Sequence, residues 1–95
     1  MSLIILAQIT AAQGKEDLLR EALHRLIAPT RLEEGCMQYD LHSDNNRPGS
    51  FVFYEIWETR ELWLAHRKAP HMAEHARATQ GAVDSVIITE MTKLR

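Results

Sequence analysis

The sequence predicts an α+β protein whose elements follow the order β-α-β-β-α-β, the ferredoxin-like arrangement of an antiparallel sheet carrying helices on one face. Three observations point there. Residues 3–10 (LIILAQIT) and 51–58 (FVFYEIWE) are short runs of β-branched and aromatic residues. Between them, Leu18, Leu19, Ala22, Leu23, Leu26 and Ile27 return to one helix face every three or four residues. Gly14, Gly35, the SDNNRPGS segment and Gly81 punctuate the chain where one element should stop and the next begin.

Taken in order, residues 3–10 form the first strand, which stops at Gln13-Gly14-Lys15. The amphipathic helix that follows continues unevenly towards Glu34. A kink or break is expected at Pro29, which lacks a backbone donor and clashes with the preceding turn. Gly35 can take the left-handed conformation that ends a helix, and residues 36–42 then alternate as the second strand. Residues 43–50 are a loop by composition. Residues 51–58 form the third strand, with Phe51, Phe53, Glu55 and Trp57 on one face and Val52, Tyr54, Ile56 and Glu58 on the other. Both faces are largely apolar, so both are expected to be covered. Thr59 can cap a short helix over residues 60–66, and Pro70 suits the first turn of another running to about Gln80, ended by Gly81. Residues 83–89 supply the last strand. The helices can cover only one face of the sheet, and a second copy is the simplest cover for the other, giving a homodimer.

At 95 residues and 45% hydrophobic content the chain is read as one domain spanning 1–95 with a modest core. Its formal charge of -2 is scattered rather than blocked, which argues against nucleic acid or an anionic membrane as partner. The apolar N-terminal stretch is too short for a membrane span and lacks the marks of a signal peptide, so a cytoplasmic location is expected. Cys36 stands alone, which excludes an internal disulfide or a multi-cysteine metal site within one chain and reads as a small buried hydrophobe.

His66, His71 and His75 cluster in the sequence, the last two at helical i, i+4 spacing. The segment lacks the Glu that directly follows the first His in zinc proteases, and no further ligand is conspicuous, so no metal is expected. Acid-base work suits a histidine better. His66 and His71 flank the break between two helical pieces and are the candidate bases, whereas His75 reads as a surface residue. Tyr39, Tyr54, Trp57 and Trp63 offer aromatic walls with polar tips, extended by Phe51 and Phe53. Glu55 needs a partner or water, and Arg60 or Arg67 is the expected one. There is no dinucleotide fingerprint, phosphate loop or nucleophile elbow, so no bound cofactor is expected.

The chain resembles the antibiotic biosynthesis monooxygenase family, its quinol monooxygenase branch especially. Glu33-Glu34-Gly35-Cys36 with Tyr39, then Tyr54-Glu55-Ile56-Trp57-Glu58, then Leu64-Ala65-His66 and Ala69-Pro70-His71-Met72 carry the resemblance. It implies a ferredoxin-like protomer in a dimeric α+β barrel. It also implies a cofactor-independent oxidation of a small quinol or polyphenol by dioxygen, with His66 or His71 as base, Trp57, Tyr54, Tyr39 and Phe53 forming the cage, and Glu55 expected among the substrate-binding residues. Phe53 stands where an antibiotic-modifying relative has asparagine, which argues against that substrate class. Haem degradation is disfavoured because the first strand offers only Gln8 and His66 occupies a tryptophan position. Two other readings follow from the residues and the resemblance. One is a non-catalytic dimeric module that binds a small aromatic or apolar ligand. The other is a sugar-phosphate isomerase, which needs Arg47, Arg60, Arg67 or Lys68 to converge on a phosphate.

Overall fold

In the computed structural model, which describes residues 2–95, the chain folds as β1 (Leu3–Ala11), α1 (Glu16–Arg25), α2 (Ile27–Arg31), β2 (Cys36–Ser43), β3 (Ser50–Trp57), α3 (Arg60–Arg67), α4 (Pro70–Ala78) and β4 (Val83–Met91). Met1, which opens the apolar N-terminal stretch, lies outside the described residues. The strands form one sheet in the order β2-β3-β1-β4, antiparallel at every pairing. This is the α+β, ferredoxin-like arrangement that the sequence predicts. Among the described residues no helix is long and apolar enough to cross a membrane.

Register decides which side chains meet. Ile5 pairs with Glu55 on one side and Glu90 on the other, Ala7 with Phe53 and Ile88, and Ile9 with Phe51 and Val86. On β2, Tyr39 stands opposite Glu55 and Leu41 opposite Phe53. Because side chains alternate across a strand, these residues share the helix-covered face. β3 shows the alternation most clearly, with Phe51, Phe53, Glu55 and Trp57 buried and the residues between them only half-buried.

The long helical segment breaks between α1 and α2 at Leu26, three residues before Pro29. The displacement follows from proline's geometry. Pro29 has no N–H to give the carbonyl of Arg25, and its ring would strike that same group, so the regular ladder ends at Arg25. It resumes when Thr30 N donates to Leu26 O at 3.1 Å. α1 buries Leu19, Ala22 and Leu23 against the sheet, places Glu16 and Asp17 in its first turn and ends on His24 and Arg25, so its charges also suit the helix dipole.

Gly35, with φ +85°, turns the chain from α2 into β2. A side chain there would suffer twice, from the left-handed backbone and from Leu62, whose Cβ would lie 2.8 Å away. α3 starts at Thr59, whose hydroxyl accepts from Leu62 N at 3.2 Å. Ala69 is extended, as a residue before proline should be, and Pro70 opens α4 where no backbone donor is required. α4 ends at Ala78, slightly short of the expected Gln80, with Gly81 at φ +76° in the turn to β4.

The core comprises Ile5, Ala7, Ile9, Leu19, Leu23, Leu26, Tyr39, Phe51, Phe53, Trp57 and Trp63. Among the described residues no helix lies over the opposite face of the sheet. There β3 presents half-buried Val52, Tyr54 and Ile56, and Ile87 on β4 is 57% exposed.

Candidate functional site

A cavity of about 460 Å³ lies between the sheet and the helices. Its floor is the inner face of the sheet: Ile5, Ala7 and Ile9 of β1, Tyr39 of β2, Phe53 and Glu55 of β3, and Val83, Val86 and Ile88 of β4. Leu23 and Leu26 from the first helix and its end, Trp63 and Arg67 of α3, and Met72, His75 and Ala76 of α4 form the roof. Val86 and Ile88 are exposed large hydrophobics, so the cavity is open along β4. Phe53 and Tyr39 stack with ring centroids 4.3 Å apart, making a flat aromatic surface on one side.

Glu55 is the polar exception in this floor. Its residue is 4% exposed, and it accepts a hydrogen bond from Trp57 Nε1 at 2.8 Å. The two side chains meet because residues i and i+2 of a strand share a face. Burial pushes the Glu55 carboxyl up to about 7, against the pull of the Trp57 hydrogen bond and with a smaller push from Glu33. Neither arginine expected to pair with it does so. Arg60 instead makes a two-pronged pair with Glu90, at 2.8 and 3.2 Å. Arg67 lies with its guanidinium 5.2 Å from the Trp63 ring centre, an attraction that suits a cation over an indole face. Tyr39, also in the floor, has its phenol pushed above the ordinary tyrosine range, first by burial and then by Glu55.

His66 and His71 belong to a second cluster, behind this wall. The helix break at residues 68 and 69 re-aims the chain so that the last turn of α3 and the first turn of α4 both point at Glu33, in the connector between α2 and β2. His66 Nδ1 donates to Glu33 Oε2 at 2.6 Å, and His71 Nε2 lies 3.0 Å from the same oxygen. The wholly buried Thr30 hydroxyl is 3.1 Å from His71 Nε2. The His66 ring packs 4.8 Å from that of Trp57 and 5.7 Å from that of Tyr39, between centroids. Burial lowers the His66 pKa, partly offset by its hydrogen bond to Glu33.

The residues singled out from sequence therefore divide into three groups. Tyr39, Phe53 and Glu55 line the cavity. His66, His71 and Trp57 are not in its lining: the two histidines face Glu33, and Trp57, fully buried, stands between the clusters. Tyr54 is on the other face of the sheet, the consequence of two-residue periodicity on β3. His75, expected at the surface, is half-buried and lines the cavity, and its Nδ1 is shielded with no hydrogen-bond partner among the described residues. Burial and the Arg25 charge both lower its pKa. Of the four cations that a phosphate site would need, only Arg67 lines the cavity. Glu33 and Thr30 were missed as site residues, although Glu33 lies within the motif that carries the resemblance. Cys36 is partly buried and its thiol is pushed up by that burial and by Glu33 and Glu55, which disfavours the thiolate.

The sequence profile described as "Antibiotic biosynthesis monooxygenase" matches residues 2–78. The chain belongs to this family. Among its relatives, "Putative monooxygenase Rv0793" of Mycobacterium tuberculosis is 33% identical over 67 residues, which cover 70% of this chain and 65% of that protein. A protein of Synechocystis, sll1783, is 26% identical over 72 residues, 76% of this chain; the match spans only 49% of the relative's length. Among solved structures, PA3566 from Pseudomonas aeruginosa superposes with a TM-score of 0.95 at 33% identity, covering 99% of this chain and 95% of that one. The Rv0793 structure gives 0.91 at 26% identity, with 100% and 97% covered. Family membership thus rests on sequence and on the whole of the fold, whereas the family's shared fold leaves substrate and residue roles to the site itself.

Proposed function

We propose that this chain oxygenates a small, electron-rich quinol or polyphenol with dioxygen and without a bound cofactor, and that Glu55, rather than His66 or His71, takes the substrate's proton. The observation that carries this reading is a carboxyl group poised at about 7 in the floor of an apolar, aromatic cavity. A general base works best when its pKa lies near the operating pH, and burial is a standard means of raising a glutamate to that value.

The chemistry needs little else from the protein. Loss of a phenolic proton to Glu55 makes the ring a stronger reductant, able to give one electron to dioxygen. Recombination of the resulting radical pair places oxygen on a ring carbon, and loss of water leaves a quinone. A hydroquinone and one dioxygen become a hydroxyquinone and one water, so the ring supplies all four electrons and no external reductant is required. The stacked Phe53 and Tyr39 support a planar ring, while Leu23, Leu26 and Met72 give it an apolar roof. The Trp57 N–H holds the carboxylate in one orientation.

The protein acts as a homodimer in this reading. The uncovered sheet face, with Tyr54 and Ile87 on it, is apolar enough to need a partner, and a second copy covers it by symmetry. Dioxygen uptake by metal-free, flavin-free protein over a panel of hydroquinones, naphthoquinols and catechols tests the function. Saturable uptake above spontaneous oxidation is the expected result. Ligand-induced thermal stabilisation with no uptake across the panel would replace the enzyme with a binding module.

A further inference from the structure

We propose that Glu33, His66 and His71 form a binding site for one divalent transition-metal ion, placed behind the aromatic wall of the cavity rather than inside it. One donor atom from each side chain lies within 4.8 Å of the other two. Oε2 of Glu33 is already shared between the imidazoles, at 2.6 Å from His66 and 3.0 Å from His71. Zinc bonds of about 2.0 to 2.2 Å place tetrahedral ligand atoms roughly 3.3 Å apart, so a cation entering between these groups asks for movements of about 1 Å. Rotation of the Glu33 side chain, which projects from a connector rather than a helix, accommodates that.

The donor set determines the class of ion. Two imidazole nitrogens and one carboxylate oxygen suit zinc, copper, nickel or ferrous iron, whereas magnesium and calcium prefer all-oxygen shells. The site is closed on the protein side and open on the other: the His66 side chain is 4% exposed, Glu33 18% and His71 22%. Three protein ligands with a solvent-facing side leave at least one coordination position to water. The ion would clasp the α2–β2 connector to α3 and α4, three segments that meet here through these side chains. Nothing in this inference depends on the cavity's substrate, because none of the three ligands lines the cavity.

Titration of the tag-free, metal-free full chain with zinc, followed by calorimetry and by thermal unfolding, tests the site directly. Binding should saturate at one ion per chain and raise the unfolding temperature, since an ion that binds only the folded state stabilises it. Cobalt should produce the visible d–d absorption of a low-coordinate N,O site, and magnesium should do neither. Glu33→Gln keeps the shape of the side chain and His71→Ala removes a ligand at the solvent rim, so both variants should fold, as circular dichroism would verify. Both should lose the one-to-one titration, while His24→Ala, His42→Ala and His75→Ala retain it. Absence of saturable binding to the parent protein overturns the proposal, and so does stoichiometric binding that survives in both Glu33→Gln and His71→Ala. The latter result would leave Glu33 and its histidines as a hydrogen-bonded clamp.

Discussion

Two glutamates sit on either side of the wall made by Tyr39 and Trp57, and their surroundings have little in common. Glu33 is met by two imidazoles at hydrogen-bonding distance. Glu55 has one indole N–H at hydrogen-bonding distance and shares its cavity with mainly apolar and aromatic side chains. The Glu33 carboxylate is engaged by both imidazoles through one oxygen and lies outside the cavity, so it has no access to a molecule bound there. A carboxyl in an apolar floor is neutral at low pH and ionises near neutrality, so it can exchange a proton with a bound molecule. Identity of residue type thus says little about role; the neighbours and access to the cavity decide it.

The largest expected effect breaks this comparison at its base. Glu55→Gln preserves shape and can still accept the Trp57 N–H, so ligand binding should persist while turnover falls by about 10²- to 10⁴-fold, the usual contribution of a positioned base. His71→Ala should leave turnover within a few-fold of the parent. The reverse pattern, read from dioxygen uptake, would return the base to the histidines. Glu55→Gln also has a stability signature. A buried carboxyl whose folded pKa is raised keeps its proton where the unfolded chain has lost it, so the parent loses stability as pH rises from the unfolded value of about 4.3 up to about 7. The variant escapes that loss and should be the more stable protein above neutrality, by at most about 4 kcal/mol, with the gap closing in acid. Chemical denaturation at several pH values measures it.

The fold was legible almost entirely because its signals are local. Alternation in FVFYEIWE placed Phe53, Glu55 and Trp57 on one face and Tyr54 on the other, and Thr59, Pro70, Gly35 and Gly81 mark helix ends by their own backbone chemistry. The same alternation separates Tyr54 from Trp57, which the resemblance groups in one cage, and the geometry follows the alternation. The site was legible as a set of residues but not as an arrangement. His66 and His71 stood out by proximity in sequence, yet Glu33 lies 33 residues before His66 and meets it only after the sheet brings the α2–β2 connector against α3. By charge alone, an arginine is the natural partner for Glu55. Arg60 found Glu90 across the fold instead, and a neutral indole two residues away on the same strand took the place.

A smaller effect sharpens the assignment of Glu55 through its one donor. Trp57→Phe keeps an aromatic ring in the core and removes the N–H, the interaction that opposes the rise of the Glu55 pKa. The pH-rate profile for kcat/KM, rising through about 7 in the parent as the base ionises, should move to higher pH in the variant. A shift to lower pH, or none, would mean that the profile reports some other group.

The smallest effect is expected at Tyr54, where the two faces of β3 are set against each other. Its backbone neighbours Phe53 and Glu55 belong to the cavity, but its own side chain rises from the uncovered face. Tyr54→Phe removes one hydroxyl and no apolar contact, so kcat and KM for a quinol substrate should both stay within about two-fold of the parent, an energy difference well under 1 kcal/mol. Its consequence should appear in the assembly instead. If the uncovered face meets a second copy, losing a hydroxyl that is buried there alters the concentration at which dimers dissociate, measured by analytical ultracentrifugation, by an amount set by one hydrogen bond, about 1 kcal/mol. A strong kinetic defect with unchanged assembly would place Tyr54 in contact with substrate, and a cavity on the helix side of the sheet could not then be the only place where the ring binds.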